Sequence, residues 1–282
     1  ANYDDKFYFG ITLGIQSLHY KSFSVYTEEI IGETNNKLEK FSMYQDFTSS
    51  GVGINFKAGF IYRPIPVLRL GFAIHTPTYY DLDAYANNNV SAKFTELPVE
   101  DAKPTEKFEY GESAWTDYSY KLKTPWRLMA SAATVLGQRA IISFDYEYVD
   151  YTTAKYSNDG AKNEYLETNN AIKAIYKSTH NFRAGAEYRF NSVFCLRGGY
   201  AYSASPYTKG EMNEKNDIQI ITGGLGLNFG VFYADLAYLH KASKLNGLFY
   251  YYETSKGEVI ESPEFQTKFK DNEFRLTLGI RF

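Results

Sequence analysis

The stretch His180–Pro206 reads HNFRAGAEYRF, NS, VFCLRGGYAYSASP: two runs of alternating residues joined by a tight polar turn. In the first run Phe182, Ala184, Ala186, Tyr188 and Phe190 share one face, and Arg183, Gly185, Glu187 and Arg189 share the other. In the second, Leu196, Gly198, Tyr200 and Tyr202 oppose Cys195, Arg197, Gly199 and Ala201. Side chains alternate faces along a strand, so each run has one apolar face and one polar face. The apolar face is crowded with aromatics; the other carries glycines and full charges. That is the pattern of a membrane barrel wall, with lipid outside and water or ligand inside.

Working outward, the same alternation recurs along the chain. The predicted strands are Lys6–Tyr20, Gly51–Tyr62, Val67–Thr78, Tyr118–Val135, Arg139–Lys155, the opening pair, Asp217–Phe229, one starting at Val231, and Asn272–Phe282. Phe7, Phe9, Ile11, Leu13 and Ile15 face out in the first. Phe274, Leu276, Leu278, Ile280 and Phe282 face out in the last. The expectation is an all-β, antiparallel transmembrane barrel of about ten strands, a single domain over residues 1–282. Connections alternate long and short. Short turns mark the periplasmic end of such barrels and long loops the extracellular end, which places both chain ends in the periplasm. The long extracellular loops are expected to carry short helices. One or two are read within Thr27–Phe47, with Ile30, Ile31, Leu38, Phe41 and Tyr44 apolar; they either pack on their own loop or form a greasy lip at the mouth. Another long loop, Tyr156–Thr179, holds a small apolar cluster at Ala171, Ile172, Ile175 and Tyr176. Pro77–Trp115 is expected to extend its flanking strands as a hairpin beyond the membrane.

Composition sets limits. No run of 18 apolar residues exists, so no transmembrane helix is expected. Aromatics make up 18% of the 282 residues, with 27 Tyr, which suits interfacial girdles. Trp126, Tyr148, Tyr188, Tyr200 and Tyr202 are the expected anchors. Net charge is −3 with no dense basic block, which argues against a nucleic-acid partner. Cys195 is the one cysteine, so no internal disulfide or cysteine-based metal site can form. The chain starts Ala1-Asn2-Tyr3 without a signal peptide, so the start is expected to be a processed end or a cut within a longer protein.

Several segments resemble the FadL/TodX family of outer-membrane transporters for hydrophobic compounds, most of all its Bacteroidetes branch. They are Phe56–Leu82, Ile142–Lys155, Phe182–Tyr207, Gly223–His240 and the closing LTLGIRF. The resemblance spans essentially the whole chain, with the motifs in order. It implies a bacterial outer-membrane location, lipid and a hydrophobic ligand as partners, and a terminal Phe282 read by the barrel-assembly machinery. It also implies about fourteen strands with an N-terminal hatch. The strands counted are fewer and no hatch is found, so the chain is expected to correspond to the family's C-terminal part.

The inward face carries Lys57, Arg69, Arg127, Arg183, Arg189, Arg197, Arg275 and Arg281, against Asp145, Glu147, Glu187 and Asp235. One reading is a charge ladder supporting the wall, built from Arg127, Asp145, Glu147, Glu187, Arg189 and Arg197, since buried charges need partners. The other is an arginine that receives an anionic head group. Tentative ligand contacts are Leu38, Phe41 and Tyr44 at the mouth, where family loop helices hold a first, weaker ligand site, and Arg69, His75 and Arg183 deeper in. The four histidines are far apart, so no metal site is expected; a single-histidine haem ligand is conceivable from relatives labelled hemin receptors, but no cofactor is expected. Gly224–Gly230 lacks the spacing and the strand–helix context of a dinucleotide loop. No Ser/His/acid grouping nominates a hydrolase. Two functions remain: passive uptake of hydrophobic or amphipathic molecules such as long-chain fatty acids, or a non-transporting surface adhesin or structural barrel.

Overall fold

The computed structural model describes residues 2–31, 38–94, 114–160, 164–254 and 256–280. In chain order the strands are β1 (Asn2–Tyr3), β2 (Phe7–Glu29), β3 (Leu38–Ile65), β4 (Leu68–His75), β5 (Tyr79–Phe94), β6 (Ala114–Lys123), β7 (Arg127–Leu136), β8 (Ala140–Asp150), β9 (Lys155–Ser157), β10 (Ser178–Arg189), β11 (Phe194–Ser203), β12 (Ile218–Asn228), β13 (Phe232–Leu248), β14 (Tyr251–Glu253), β15 (Val259–Glu261) and β16 (Glu264–Ile280). Among the described residues one α-helix, α1 (Leu166–Ile175), and a single 3-10 turn, Tyr151–Thr153, lie between them.

Ten strands make one antiparallel wall in the order β2-β3-β4-β7-β8-β10-β11-β12-β13-β16. The pairing is sequential, with short turns at one end (between β3 and β4, β7 and β8, β10 and β11, β12 and β13) and longer connections at the other. The turn after β7 runs through Gly137 and Gln138, both at positive φ (56° and 62°), the twist that joins two strands tightly. Among the described residues, β2 and β16 do not pair with each other, so the wall is an open sheet. Above the wall the rings of Tyr26, on β2, and Tyr250, between β13 and β14, lie edge to face at 6.0 Å.

The apolar face of the wall points away from the protein. Ile11, Leu13 and Ile15 are 77%, 68% and 75% exposed, and Phe72, Phe144, Leu196, Ile221, Leu236, Leu276 and Leu278 are exposed in the same way. In water such a surface would be untenable; in a bilayer it faces acyl chains, and the ladders between neighbouring strands satisfy the backbone of the strands inside the sheet.

Above the wall the strands continue as a cap. The upper half of β3 leaves β4 and pairs with β5, which pairs with β6, which pairs with β9. The break falls at two prolines. Pro77 separates β4 from β5, Pro125 separates β6 from β7, and the hairpin register places them opposite each other between the His75–Arg127 and Tyr79–Lys123 pairs. A proline has no N–H for the ladder. The flanking threonines take over: Thr78 N donates to Thr124 Oγ1 (2.8 Å) and Thr124 N to Thr78 O (3.0 Å). Against β3 the pairing slips by one residue here, from Lys57–His75 to Ile54–Tyr79. Side-chain parity therefore flips, and the inner face of β5 becomes Tyr80, Leu82 and Ala84.

Several sequence expectations change. The described residues of Thr27–Phe47 are not helical: Thr27–Glu29 belong to β2 and Leu38–Phe47 to β3, whose ladder continues to the Glu29–Lys40 pair. Phe41, Tyr44 and Phe47 are residues that suit a pleated strand, and extending an existing ladder satisfies the backbone at once. The span given to strand four is divided by Pro125 into β6 and β7. The flanks of the last long loop belong to β13 and β16, which pair out to Leu248–Glu264. Pro77–Trp115 does extend as a hairpin, β5 on β6. Phe282 and Arg281 lie outside the described residues.

Candidate functional site: the interior face and its cap

Three tiers of side chains line the concave face. The lowest is a charge ladder. Glu187 accepts from Arg189 Nε at 2.7 Å and from Arg197 Nε at 2.8 Å. Arg197 reaches on to Asp235 through Nη1. Arg197 is on β11 and Asp235 on β13, so this contact crosses β12, and it crosses at Gly226. A Cβ there would stand 2.5 Å from Cys195 Sγ, 2.8 Å from Asp235 Oδ1 and 3.3 Å from Arg197 Nη1. The missing side chain is the space the ion pair occupies.

The middle tier surrounds a recess of about 630 Å³. Gly10, Gly59, Gly71, Ala73 and Met129 give it smooth, mostly apolar walls, with Lys57, His75, Asp145, Glu147 and Arg183 around it. Glu147 is nearly buried, its side chain 10% exposed, and it lies 3.3 Å from Arg183 Nη2 and 3.6 Å from Arg127 Nη1. Asp145 has no ion pair among the described residues, although Arg183 stands opposite it in register. A smaller polar recess of about 180 Å³ opens directly above, at the proline break, between Lys57, His75, Arg127, Thr78, Thr124 and Asn55.

The top tier is the cap. Leu82 (1% exposed), Ala84 and Tyr120 form the buried apolar cluster of the described residues, packed by Leu18, Phe47, Tyr80, Leu122, Tyr156 and Tyr165. Tyr120 OH meets Ser49 Oγ at 2.9 Å, and its ring stacks in a tilted file with those of Tyr118 and Tyr156 at 5.8 and 5.6 Å. The loop bearing α1 closes over this cluster. Asn169 clamps it by accepting from Tyr156 N (2.8 Å) and donating to Tyr156 O (2.9 Å), and Ile172 buries the inner side of the helix. Burial pushes the Tyr156 and Tyr165 phenols up, so both stay neutral.

The residues singled out from sequence divide among these tiers. His75 and Arg183 line the middle recess, and Arg127 joins them through Glu147. Arg69 lies on the same face, at the short-turn end of β4. It is six residues from His75, about 20 Å along a strand, and it lines neither recess. Leu38, Phe41 and Tyr44 lie on β3 above the membrane. Helical spacing would have gathered them on one side; the strand sends Phe41 and Tyr44 to opposite faces. Lys57 was read only as an inward charge, and Leu82 and Tyr120 were not singled out. Their signal was the alternation in YYDLDAYA, masked by the parity flip at Pro77.

The sequence profile described as outer membrane protein transport protein (OMPP1/FadL/TodX) matches residues 4–229. The chain belongs to the FadL/TodX family. No match is found among curated proteins. Among solved structures, this FadL/TodX chain is similar to a Pseudomonas aeruginosa FadL homologue, with TM-score 0.64 and 14% identity over 98% of this chain and 65% of that one. It is similar to the Ralstonia pickettii toluene transporter TbuX (TM-score 0.54, 16% identity, 98% and 64% covered). It is similar also to the P. putida toluene transporter TodX (TM-score 0.54, 14% identity, 99% and 66% covered). At these identities the likeness is one of fold. The chain thus spans just under two thirds of the length of those structures.

Proposed function

We propose that the protein is an outer-membrane channel for passive uptake of hydrophobic or amphipathic small molecules, long-chain fatty acids among them. Membership of a family of outer-membrane transport proteins supports this, and so does the likeness in fold to two toluene transporters. The observation that carries the reading is the recess of about 630 Å³ on the inner face. A wall serving only as a surface anchor or adhesin gains nothing from glycines and alanines that keep its interior open. A cavity of this size with apolar walls and a few convergent polar groups is what a small-molecule site requires.

The test is uptake by whole cells. Cells that carry the protein in the outer membrane should take up labelled oleate several-fold faster than cells lacking it, with uptake of a hydrophilic sugar unchanged. Equal oleate rates would end the transport reading and leave the adhesin alternative.

A further inference from the structure

On the outward face of the last two wall strands the apolar band stops abruptly. There β13 presents Leu236 and Tyr238, then His240, Ala242 and Lys244. β16 presents Leu276 and Phe274, then Asn272, Lys270 and Lys268. The rings of Tyr238 and Phe274 lie 4.9 Å apart, and the Tyr238 hydroxyl donates to Asn272 Oδ1 at 2.8 Å, on the side of the long connections. Aromatic rings with a polar tip turned toward the wet side mark a membrane–water boundary. The long connections lie outside the cell, so this boundary belongs to the outer leaflet.

Above it stand three lysines. Lys244 and Lys268 are opposite each other in the unbroken β13–β16 register, and Lys270 is opposite Ala242. Cβ atoms directly opposite are roughly 4.5–5.5 Å apart and diagonal ones roughly 7–8 Å, so the three ammonium groups can converge on one point. Like charges directly opposite destabilise a sheet. All three lysines are exposed, and none is in an ion pair among the described residues.

The acids nearby are turned elsewhere. Asp271 and Glu273 have the opposite parity on β16: Asp271 stands opposite Lys241, and Glu273 accepts from Arg275 Nη2 at 3.1 Å. Asp217, before β12, accepts from Ser205 N at 2.9 Å. Glu264 shares the outward face but stands opposite Leu248, roughly 13 Å along the strand from Lys268. Other lysines of the extracellular strands have acids of their own: Lys21 with Asp46 (3.9 Å), Lys40 with Glu29 (3.1 Å) and Lys93 with Glu39 (2.7 Å).

The bilayer supplies what this row lacks. Lipid phosphates lie at head-group depth, and lysine stems run along apolar surface while their ammonium groups reach the polar layer. Lysine binds phosphate as a point charge, so three flexible ammonium groups suit a head group that can rotate. The apolar band that continues below the row favours a phosphate carried on acyl chains over a free one. We infer that Lys244, Lys268 and Lys270 dock the phosphorylated head group of an outer-leaflet glycolipid of the lipid A type, with its acyl chains against Leu236, Leu276 and Leu278. The site is on the outside of the wall and does not depend on what the interior carries.

Binding of phosphorylated lipid A to the detergent-purified protein, with the same lipid A dephosphorylated as second probe, tests it. Each lysine near an anionic lipid surface contributes roughly fivefold in binding, so wild type should prefer the phosphorylated form by about tenfold or more. Lys244→Gln, Lys268→Gln and Lys270→Gln should each weaken the phosphorylated form about three- to fivefold and leave the dephosphorylated form unchanged. Lys244→Arg should keep most of the affinity. Heat-modifiable gel migration confirms that each variant is folded. Lys21→Gln, which removes an outward lysine already paired with Asp46, should change neither affinity. Inorganic pyrophosphate in large excess should displace little of the lipid; displacement at concentrations equal to the lipid's would make this a free-anion site and overturn the assignment. If wild type binds both forms of lipid A equally, or the three glutamine variants bind the phosphorylated form like wild type, the site is overturned. An equal loss in Lys21→Gln would overturn it too, because the response would then be to surface charge in general.

Discussion

The same strands obey opposite rules below and above the proline pair. Below it, β4 sends Leu70, Phe72 and Ile74 outward and Gly71, Ala73 and His75 inward. Above it, β5 sends Asp81, Asp83 and Tyr85 outward and Tyr80, Leu82 and Ala84 inward. β2 makes the same exchange without a break: Ile11, Leu13 and Ile15 face out below, Ser17, His19 and Lys21 above, while inside Gln16 gives way to Leu18. The solvent explains it. Lipid accepts apolar side chains and excludes charge, so the lower wall is inverted; water does the reverse, so the cap has an ordinary buried core. β4, β5, β6 and β7 change faces by slipping one residue at Pro77 and Pro125. β2 and β3 change by composition alone. The level of Ile54 and Asn55, where all of these changes coincide, is the outer boundary of the membrane-facing band.

If that is the division, a charge should do most damage where it is placed inside the cap. Leu82→Asp puts a carboxylate among Phe47, Leu122 and Tyr156 with no cation in the cluster, and should cost on the order of 4 kcal/mol. Much of that loss should be local, read as rapid proteolysis of the loop carrying α1 while the wall stays folded. A Leu82→Asp protein with a protease-resistant loop and unchanged urea midpoint would remove the claim that the cap has a core.

The counterpart in the wall is Ile11→Arg. Ile11 is 77% exposed and lies mid-way along the apolar run of β2. In a water-facing sheet this swap would be nearly neutral or would improve solubility. On the lipid face it should cost about 2–4 kcal/mol, seen in urea unfolding from phospholipid vesicles. The comparison sharpens with His19→Arg, which lies on the same face of β2 above the boundary and should change stability very little. Equal effects at positions 11 and 19 would place the boundary elsewhere.

These contrasts also show what could be read from the sequence. The wall was legible because each strand carries its own pattern: Phe182, Ala184, Ala186 against Arg183, Gly185, Glu187 needs no knowledge of any neighbour. The β2–β3 extension was not, because Leu38, Phe41 and Tyr44 recur at a helical spacing, and the ladder that overrides it is formed with β2 and β5. The parity flip depends on Pro77 and Pro125 being opposite each other, a relation between residues far apart in the chain. For the same reason Lys57, His75 and Arg127 could be placed on the inner face one by one, but their standing abreast follows from the registers of β3, β4 and β7. Glu147 and Glu187 were visible as inward acids. That Glu147 serves two arginines while Asp145 has no ion pair among the described residues is set by side-chain reach across the sheet.

The smallest effect tests whether the open interior is built glycine by glycine. Gly226 has no strained backbone to explain it; what it provides is room for Arg197 to reach Asp235 across β12. In Gly226→Ala the new methyl meets the ends of Cys195, Asp235 and Arg197, all of which can turn aside, so the strand should survive and the ion pair should not. Arg197 and Asp235 are 45% and 32% exposed, so water screens them and the loss should be about 1 kcal/mol or less. The magnitude alone could come from crowding, so the double-mutant cycle decides. Asp235→Asn removes the same contact from the other side. If Gly226 acts through that ion pair, Gly226→Ala should cost markedly less in the Asp235→Asn background than in wild type, since neighbouring changes that remove one shared interaction are not additive. Additive urea midpoints would mean that the glycine serves the strand itself, and that the charge ladder would tolerate a side chain between its members.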